Sequence, residues 1–340
     1  MQKTIDKIRQ LCYLIIYAMI NCINLRIMTD KNWNETVITE AGSTQTGNTA
    51  PLEPPTSLSP GVVIGNYRIL QKLSEGGMGA IYLCHPMGDA ARRLVLKVLK
   101  NEAKAKTTGR KRFLREFSLL SDLDHENIVR TFDFWNDDLA EYFVMEYISG
   151  MNLADMVHLN YVFNSEYCIY LMGVVAKAMR YAWDTCRLLH RDIKPSNIMI
   201  DDNNVIKILD FGIAKSLDRD DTILTLTGSS LGSPGFMSPE QYTDPRNLDC
   251  TSDIFSLGAT IYFCLSGGRL PFEGRSIAEI AISMRTGYIQ PISEINPDVP
   301  ENFADLIMAT LQHDPKKRPF CWAKLLASID RISRGGRMVR

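Results

Sequence analysis

The chain has 340 residues, of which 45% are hydrophobic and 23% charged, and its formal net charge is -1. This composition excludes a fibrous or wholly disordered protein, and the near-zero charge gives no general attraction to nucleic acid or to an anionic membrane. The 8 cysteines include no Cys-x-x-Cys pair that could begin a zinc or redox site, so we expect reduced thiols and a cytoplasmic location.

The N-terminal part of the chain combines basic side chains with an apolar stretch at 11–20. This stretch is about half as long as a spanning helix, which needs roughly 20 residues, and no convincing signal-peptide cleavage site follows it. The alternatives are a true start at Met28, with 1–27 a mis-assigned extension, and a membrane-tethered protein that uses 1–27 as an anchor. Small polar residues and prolines dominate 29–60, so 1–60 is predicted to be a flexible extension.

From residue 61 onward, apolar and polar residues alternate as they do in half-buried strands. Strands are predicted at 67–73, 81–84, 94–99, 128–135 and 141–147, with a helix at 112–123. Helical spacing then dominates, at 166–185, 252–265 and 301–311, with a short strand pair at 198–200 and 206–208. We therefore predict an α+β protein with a β-rich part at 61–148, an α-rich part at 149–332, a cleft between them and a short basic tail at 333–340.

A glycine-rich turn, Glu75-Gly-Gly-Met-Gly79, separates the first two predicted strands, and its bare amides could close over phosphates. Alone it is a weak signal, since glycines in a hairpin are more often turn chemistry. Lys97 falls inside an apolar strand, where a charge needs a partner. Glu116 on the following helix is the predicted partner, and a solvated lysine on an edge strand is the alternative.

The segment from His190 to Asn197, followed by Asp210, places acids, a lysine and an amide on loop-like sequence between short strands. Phosphoryl transfer needs a carboxylate to orient the attacking hydroxyl, cations to neutralise phosphate charge, and hard oxygen ligands for magnesium. This segment supplies all of these groups.

Taken in order, these motifs resemble the protein kinase signature. The residues within them are most similar to those of the bacterial eukaryotic-like (Hanks-type) serine/threonine protein kinases. The resemblance runs from about Val62 to about Ile332. It rests on the glycine-rich turn, Lys97, Glu116, His190-Arg-Asp192, Asn197, Asp210-Phe-Gly212 and Ser238-Pro-Glu240. It implies a two-lobed protein kinase-like fold, with a small β-rich N-lobe carrying one main helix, a larger helical C-lobe, and ATP in the cleft.

The resemblance also implies a role for each matching position. Asp192, Lys194 and Asn197 would be catalytic, with Asp192 accepting the proton of the substrate hydroxyl and Lys194 supporting the γ-phosphate. Asn197 and Asp210 would hold Mg²⁺, with Mn²⁺ as the alternative ion. The implied ATP-binding residues are Leu73, Ser74, Glu75, Gly76, Gly77, Met78, Gly79, Ala80, Ile81, Val95, Lys97, Glu116, Met145, Glu146, Tyr147, Ile148 and Met199.

Substrate class and regulation follow from the same resemblance. Lys194 indicates serine/threonine rather than tyrosine specificity, and Ser233 keeps a hydroxyl where the family contacts the catalytic aspartate. Arg191, beside the base, would bind a phosphate on the loop at 213–237, so autophosphorylation is predicted at Thr225 or Thr227 and would be compatible with a transient homodimer. A merely polar flexible loop is the alternative.

Other matching positions imply structural support: Asp253 would brace the catalytic loop from below, and Glu240 would form a buried ion pair with Arg318. Two positions depart from the family pattern. Ser74 replaces the first glycine of the turn and Val95 replaces an alanine above the adenine, which puts nucleotide affinity in question.

The expected partners are ATP and protein substrates, with no nucleic acid and no membrane. A pseudokinase, acting as a nucleotide-binding scaffold, is the alternative function. Such proteins usually lose the lysine, the base or the magnesium aspartate. Lys97, Asp192, Asn197 and Asp210 are all present here, which favours an active enzyme.

Overall fold

The computed structural model describes residues 58–76, 79–100, 118–136, 140–211, 234–274 and 276–335. Within these ranges a β-rich N-lobe precedes a helical C-lobe, which confirms the predicted α+β architecture. The predictions for the N-terminal segment at 1–27 lie outside the described residues. No helix in the described ranges is long and apolar enough to cross a membrane.

The N-lobe is a six-stranded sheet in the order β1-β2-β3-β4-β6-β5, and every neighbouring pair is antiparallel. The strands are β1 Val63–Ile64, β2 Tyr67–Gly76, β3 Gly79–Pro86, β4 Leu94–Lys100, β5 Thr131–Asn136 and β6 Ala140–Glu146. Side chains alternate between the faces of a strand, and one face buries Tyr82, Leu96 and Val144 in a hydrophobic cluster. On the opposite face, Leu99 and Phe143 are buried in the larger hydrophobic cluster, whereas Val95 and Lys97 are only partly buried.

Two boundaries differ from the prediction. The N-lobe includes Leu58, which is 7% exposed and whose amide donates a hydrogen bond to the Tyr82 hydroxyl at 3.1 Å, so the lobe begins before residue 61. The strand predicted at 128–135 begins only at Thr131. The residues before it pair instead with a C-lobe strand, through a parallel bridge between Ile128 and Ile208.

The C-lobe is built on eight α-helices within the described ranges. They are α1 Leu153–His158, α2 Ser165–Cys186, α3 Pro239–Thr243, α4 Cys250–Leu265, α5 Ile277–Thr286, α6 Ile292–Ile295, α7 Glu301–Thr310 and α8 Trp322–Ser333. A small sheet of β7 Gly150–Asn152, β8 Ile198–Asp201 and β9 Ile206–Ile208 lies beside the cleft, in the order β7-β8-β9.

Helix α4 forms the centre of the C-lobe, because almost all its side chains are buried. It starts earlier than the predicted residue 252, since the Asp249 carboxylate accepts a hydrogen bond from the Thr251 amide at 2.8 Å and caps the first turn. The polar residues inside this helix therefore face protein rather than solvent. One of them, Asp253, is 1% exposed and accepts a hydrogen bond from the His190 amide.

Candidate active site

The loop at 190–197 is held from below by Asp253. Its carboxylate accepts hydrogen bonds from the backbone amides of His190, at 2.7 Å, and Arg191, at 2.8 Å. Burial raises the pKa of Asp253 above its ordinary value, although the two amides and nearby positive charge favour the ionised form. The structure therefore places Asp253 as a buried brace that ties the loop to α4.

His190 sits between this loop and the segment before Asp210. Its Nε2 lies 2.8 Å from the Leu209 carbonyl, which can only accept, so Nε2 carries the proton. Its Nδ1 is then left to accept the Asp192 amide at 3.3 Å. Burial lowers the pKa of His190, outweighing the opposite effect of the neighbouring carboxylates. His190 is accordingly a neutral imidazole in one tautomer, and it positions Asp192.

Two polar side chains, those of Lys194 and Asn197, converge on Asp192. The Nζ of Lys194 lies 2.9 Å from Oδ2 of Asp192. The Nδ2 of Asn197 donates to the same oxygen at 3.0 Å and to the Asp192 carbonyl at 2.8 Å. Charge-assisted hydrogen bonds of this kind are short and orient the carboxylate strongly. The three residues predicted to be catalytic are thus in direct contact.

Asp210 is brought to the same place by the backbone. The Leu209 amide donates to the Asn197 carbonyl at 2.8 Å, which fastens the segment before Asp210 to the catalytic loop. Arg191 and Asp210 both have left-handed backbone conformations, with φ of 62° and 46°. Non-glycine residues rarely adopt such angles, and they cluster at active sites.

Lys97 contacts Asp210 across the cleft, with its Nζ 2.9 Å from Oδ1. Its predicted partner, Glu116, lies outside the described residues. Within the part of the chain that the structure describes, the N-lobe lysine is therefore paired with the C-lobe aspartate. This contact joins the side chains that the sequence assigns to the phosphates and to the metal.

The residues around Asp210 fit a magnesium ion by the chemistry of their donors. Because Asn197 uses its amide nitrogen on Asp192, its carbonyl oxygen Oδ1 is the atom left to coordinate. Together with the Asp210 carboxylate, this gives a set of hard oxygen ligands. Magnesium in nucleotide sites is usually held by one or two such ligands plus phosphate oxygens and water.

One face of the N-lobe sheet meets the cleft. Val95 and Lys97 share that face of β4 because strand side chains alternate. Val95 pairs with Met145 of β6, and Lys97 pairs with Ile81 of β3. All four are partly buried, whereas Leu96 between them is fully buried on the other face. The structure thus gathers four predicted ATP-binding side chains on one accessible face.

The residues 146–148, which we call the hinge segment, begin at the last residue of β6. Glu146 ends that strand, the Tyr147 side chain is exposed and Ile148 is buried. On the C-lobe side, Met199 lies in β8 and is partly buried. The adenine-binding roles that the family resemblance implies for these positions stay predictions.

The glycine-rich turn is a β-hairpin in which Gly76 pairs with Gly79, and the tip, Gly77 and Met78, lies outside the described residues. Its described members end β2 and begin β3, namely Leu73, Ser74, Glu75, Gly76, Gly79, Ala80 and Ile81. A Cβ on Gly79 would lie 1.9 Å from the Val98 carbonyl oxygen, at a φ of 151°. The close packing of Gly79 against β4 is therefore sufficient to require a glycine at this position.

The predicted ion pair of Glu240 and Arg318 is present, with a bidentate geometry of 2.6 Å and 2.9 Å. Burial alone would raise the pKa of Glu240, but the guanidinium and the Ser252 hydroxyl lower it below its usual value. Ser252 also bonds Ser238 at 2.8 Å. The pair thus fastens the Ser-Pro-Glu motif to the start of α4.

Gln241 is a functional candidate that motif reading missed. Its Nε2 donates to the Arg191 carbonyl at 2.9 Å, and it completes a capping box with Ser238 at the start of α3. The Ser-x-x-Gln spacing is a signature of the capping box, but it does not indicate the contact with Arg191. Thr225, Thr227 and Ser233 lie outside the described residues.

Residues 67–327 match the family described as the protein kinase domain. The chain is 33% identical over 281 residues to a probable serine/threonine-protein kinase of Clostridium perfringens and 34% identical over 256 residues to the serine/threonine-protein kinase PrkC of Bacillus subtilis. These alignments cover 81% and 75% of this chain but 39% of each relative, so the chain spans about two fifths of the length of the curated relatives it matches.

Solved structures give the same picture of the fold. The kinase domain of PknI from Mycobacterium tuberculosis superposes with a TM-score of 0.65 at 22% identity, covering 82% of this chain and 100% of that domain. Rad53 in complex with AMP-PNP superposes with a TM-score of 0.63 at 25% identity, covering 78% of this chain and 65% of that one. The first likeness shows the fold alone.

Proposed function

The chain belongs to the protein kinase domain family, and from that premise we propose that it transfers the γ-phosphoryl group of ATP to serine or threonine hydroxyls of proteins. The observation that carries the proposal is the double contact on Asp192, where Lys194 at 2.9 Å and Asn197 at 3.0 Å meet one carboxylate oxygen. Phosphoryl transfer depends mainly on positioning and charge, and this loop supplies both.

Magnesium-bound ATP supplies the phosphoryl group and part of the charge neutralisation. In this proposal Asp192 orients the substrate hydroxyl and accepts its proton, while Lys194 places a positive charge beside the reacting phosphate. Asn197 and Asp210 provide oxygen ligands for the ion. Lys97 holds the phosphates from the N-lobe side, and we assign magnesium in preference to manganese.

Serine/threonine specificity rests on Lys194 and on the names of the similar proteins, which are serine/threonine-protein kinases. Adenine is assigned to the face formed by Ile81, Val95 and Met145, with the hinge segment at its edge and Met199 opposite. Because Val95 is bulkier than the alanine of the family pattern, the pocket is narrowed on the N-lobe side.

Regulation is part of the proposal. Both the amide and the carbonyl of Arg191 are held, by Asp253 at 2.8 Å and Gln241 at 2.9 Å. This fixes the residue beside Asp192, where a phosphate at Thr225 or Thr227 would reach its guanidinium. Phosphosite mapping of the active enzyme tests this assignment, and an active enzyme with no phosphate at either threonine would refute it.

The test of the proposed function is transfer from labelled ATP with magnesium, to the protein itself and to a basic acceptor protein. The wild type is compared with Asp192→Asn and with Asp330→Asn, a control on the exposed surface of α8. We expect label on serine and threonine in the wild type and the control, and none in Asp192→Asn. Absence of label in every protein, with ATP still bound, would favour the scaffold alternative.

A further inference from the structure

Lys207 and Glu146 form an ion pair that bridges the lobes. The Nζ of Lys207, in the middle of β9, donates to both carboxylate oxygens of Glu146, at 2.9 Å and 3.1 Å. The lysine side chain is 13% exposed and that of the glutamate 31%. Ile206 and Ile208 on either side are 1% exposed, so β9 directs its apolar residues into the C-lobe and its lysine toward the hinge segment.

The same carboxylate is tied to a third segment. Its Oε2 accepts the Arg130 amide at 3.3 Å, and the Glu146 amide donates to the Arg130 carbonyl at 2.8 Å. The residues just before Arg130 are hydrogen-bonded to β9. The backbone carbonyl of Asn127 accepts a hydrogen bond from the Ile208 amide at 2.8 Å, and the Asn127 side-chain amide donates to the Ile206 carbonyl at 2.8 Å. The contacts therefore close a ring through β9, residues 127–130 and Glu146.

This ring of contacts borders the proposed adenine site on two sides. Glu146 is the first residue of the hinge segment, and Lys207 pairs in register with Met199, on the opposite side of that site. Resting on the function proposed above, we infer that Lys207 is a positioning residue for nucleotide binding. It holds the hinge backbone at a set distance from the C-lobe side of the adenine pocket, and it does not touch the reacting groups.

The physical reason is pre-organisation. A strand end with no side-chain anchor samples several backbone positions, and the nucleotide must then select the one in which the hinge amides and carbonyls face adenine. A charge-assisted, bidentate contact from a strand embedded in the C-lobe restricts that choice before binding. Loss of Lys207 leaves the backbone bond between Glu146 and Arg130 and the pairing of Glu146 with Leu94 in place, so the fold is retained while the Glu146 carboxylate loses its contact with β9.

The test is Lys207→Met, which keeps the aliphatic stem and removes the charge. Affinity for magnesium-ATP is measured directly by calorimetry, together with KM for ATP and kcat. We expect ATP affinity and KM to worsen about fivefold to tenfold, with kcat at saturating ATP within about twofold. Lys207→Arg restores most of the affinity, because a guanidinium also reaches both oxygens. Arg180→Met, which breaks the exposed ion pair with Asp184 on α2, is the matched control and leaves every value unchanged.

A double-variant comparison separates positioning from general damage. Glu146→Gln alone weakens ATP binding by a similar factor, and adding Lys207→Met to it produces little further loss, because both changes remove one interaction. Fully additive losses, an unchanged affinity in Lys207→Met, or a change confined to kcat would each overturn the inference. Wild type that fails to bind ATP would instead contradict the proposed function.

Discussion

Asn197 donates twice to Asp192 from one amide nitrogen, to the carboxylate at 3.0 Å and to the backbone carbonyl at 2.8 Å. The two bonds close a small ring that fixes both the side chain and the backbone of the proposed base. Asn197 itself is held in a short 3-10 helix at Pro195–Asn197 and is 7% exposed. The contacts of Asn197 with Asp192 therefore give it a positioning role besides the proposed metal ligation.

Replacing Asn197 by alanine removes both bonds and one proposed metal ligand. We expect phosphate transfer to fall at least about a hundredfold, since small misplacements of a catalytic group have effects of that size. Labelled-ATP transfer at saturating magnesium measures it. The control is Asn247→Ala, which breaks a 2.9 Å amide–carboxylate bond to Asp244 in an exposed turn. Equal activity of the two variants would contradict the role of Asn197.

Folding stability should depend on pH through His190. Burial lowers the pKa of His190 below its ordinary value of 6.5. Below about pH 6.5 the imidazole therefore binds a proton in the unfolded chain but not in the folded chain. The free energy of unfolding consequently falls as the pH drops. Asp253, Asp192 and Asp210 act in the opposite direction, but burial outweighs them.

Urea unfolding of the wild type and of His190→Gln measures this contribution. Between about pH 6.5 and pH 5.5 the wild type should lose about 1 kcal/mol more than the variant, for a single proton. The other histidines are common to both proteins and cancel in the difference. Parallel stability curves over this range would show that His190 takes up a proton in the folded state.

Gly79 allows a purely structural prediction. An added Cβ would lie 1.9 Å from the Val98 carbonyl oxygen, so Gly79→Ala should lower the free energy of unfolding by at least about 2 kcal/mol. The measurement is urea unfolding without nucleotide. Gly88 has a φ of 90° and open space where a Cβ would lie, so it isolates the cost of backbone conformation. Gly88→Ala should lower the free energy of unfolding by about 1 kcal/mol. Similar losses in both would mean that the sheet shifts to accept the methyl group.

Local patterns were enough to predict which segments form strands and helices. The alternation of Leu94, Leu96 and Val98 with Val95 and Lys97 identified a strand with one buried face. The predicted helix at 252–265 was found with its start two residues earlier, at Cys250. Such features depend on neighbours in the chain, and periodicity reports them directly.

Contacts between distant segments were not predictable in the same way. Nothing in the sequence near Lys207 indicates Glu146, and nothing near Gln241 indicates Arg191, since each pair meets only after the lobes and helices have packed. Lys97 illustrates the same limit, because its charge within an apolar strand indicated that it has a partner but did not identify Asp210 as that partner. The start of β5 differs from the predicted residue 128 for this reason too, as Ile128 pairs with β9.

The ion pair of Arg318 with Glu240 is buried, with the arginine side chain 0% and the glutamate 16% exposed. The guanidinium also donates to the carbonyls of Thr251, Gln312 and His313. Arg318→Met leaves the carboxylate and these carbonyls in place without their donor. We expect the free energy of unfolding to fall by about 3 to 5 kcal/mol, as when one partner of a buried pair is removed.

The control is Arg334→Met, which breaks a 3.0 Å pair with Asp330 whose side chains are 78% and 58% exposed. Because solvent screens this pair, its loss should change stability by no more than about 0.5 kcal/mol. The Glu240 pKa lies below 4.5, so the stability that its ionised form provides is present above pH 4.5 and is lost as the pH falls through the folded-state value. The deficit of Arg318→Met should therefore shrink in acid. A deficit independent of pH would point instead to the lost contact of the guanidinium with the Phe255 ring, whose centroid lies 4.8 Å from Cζ of Arg318.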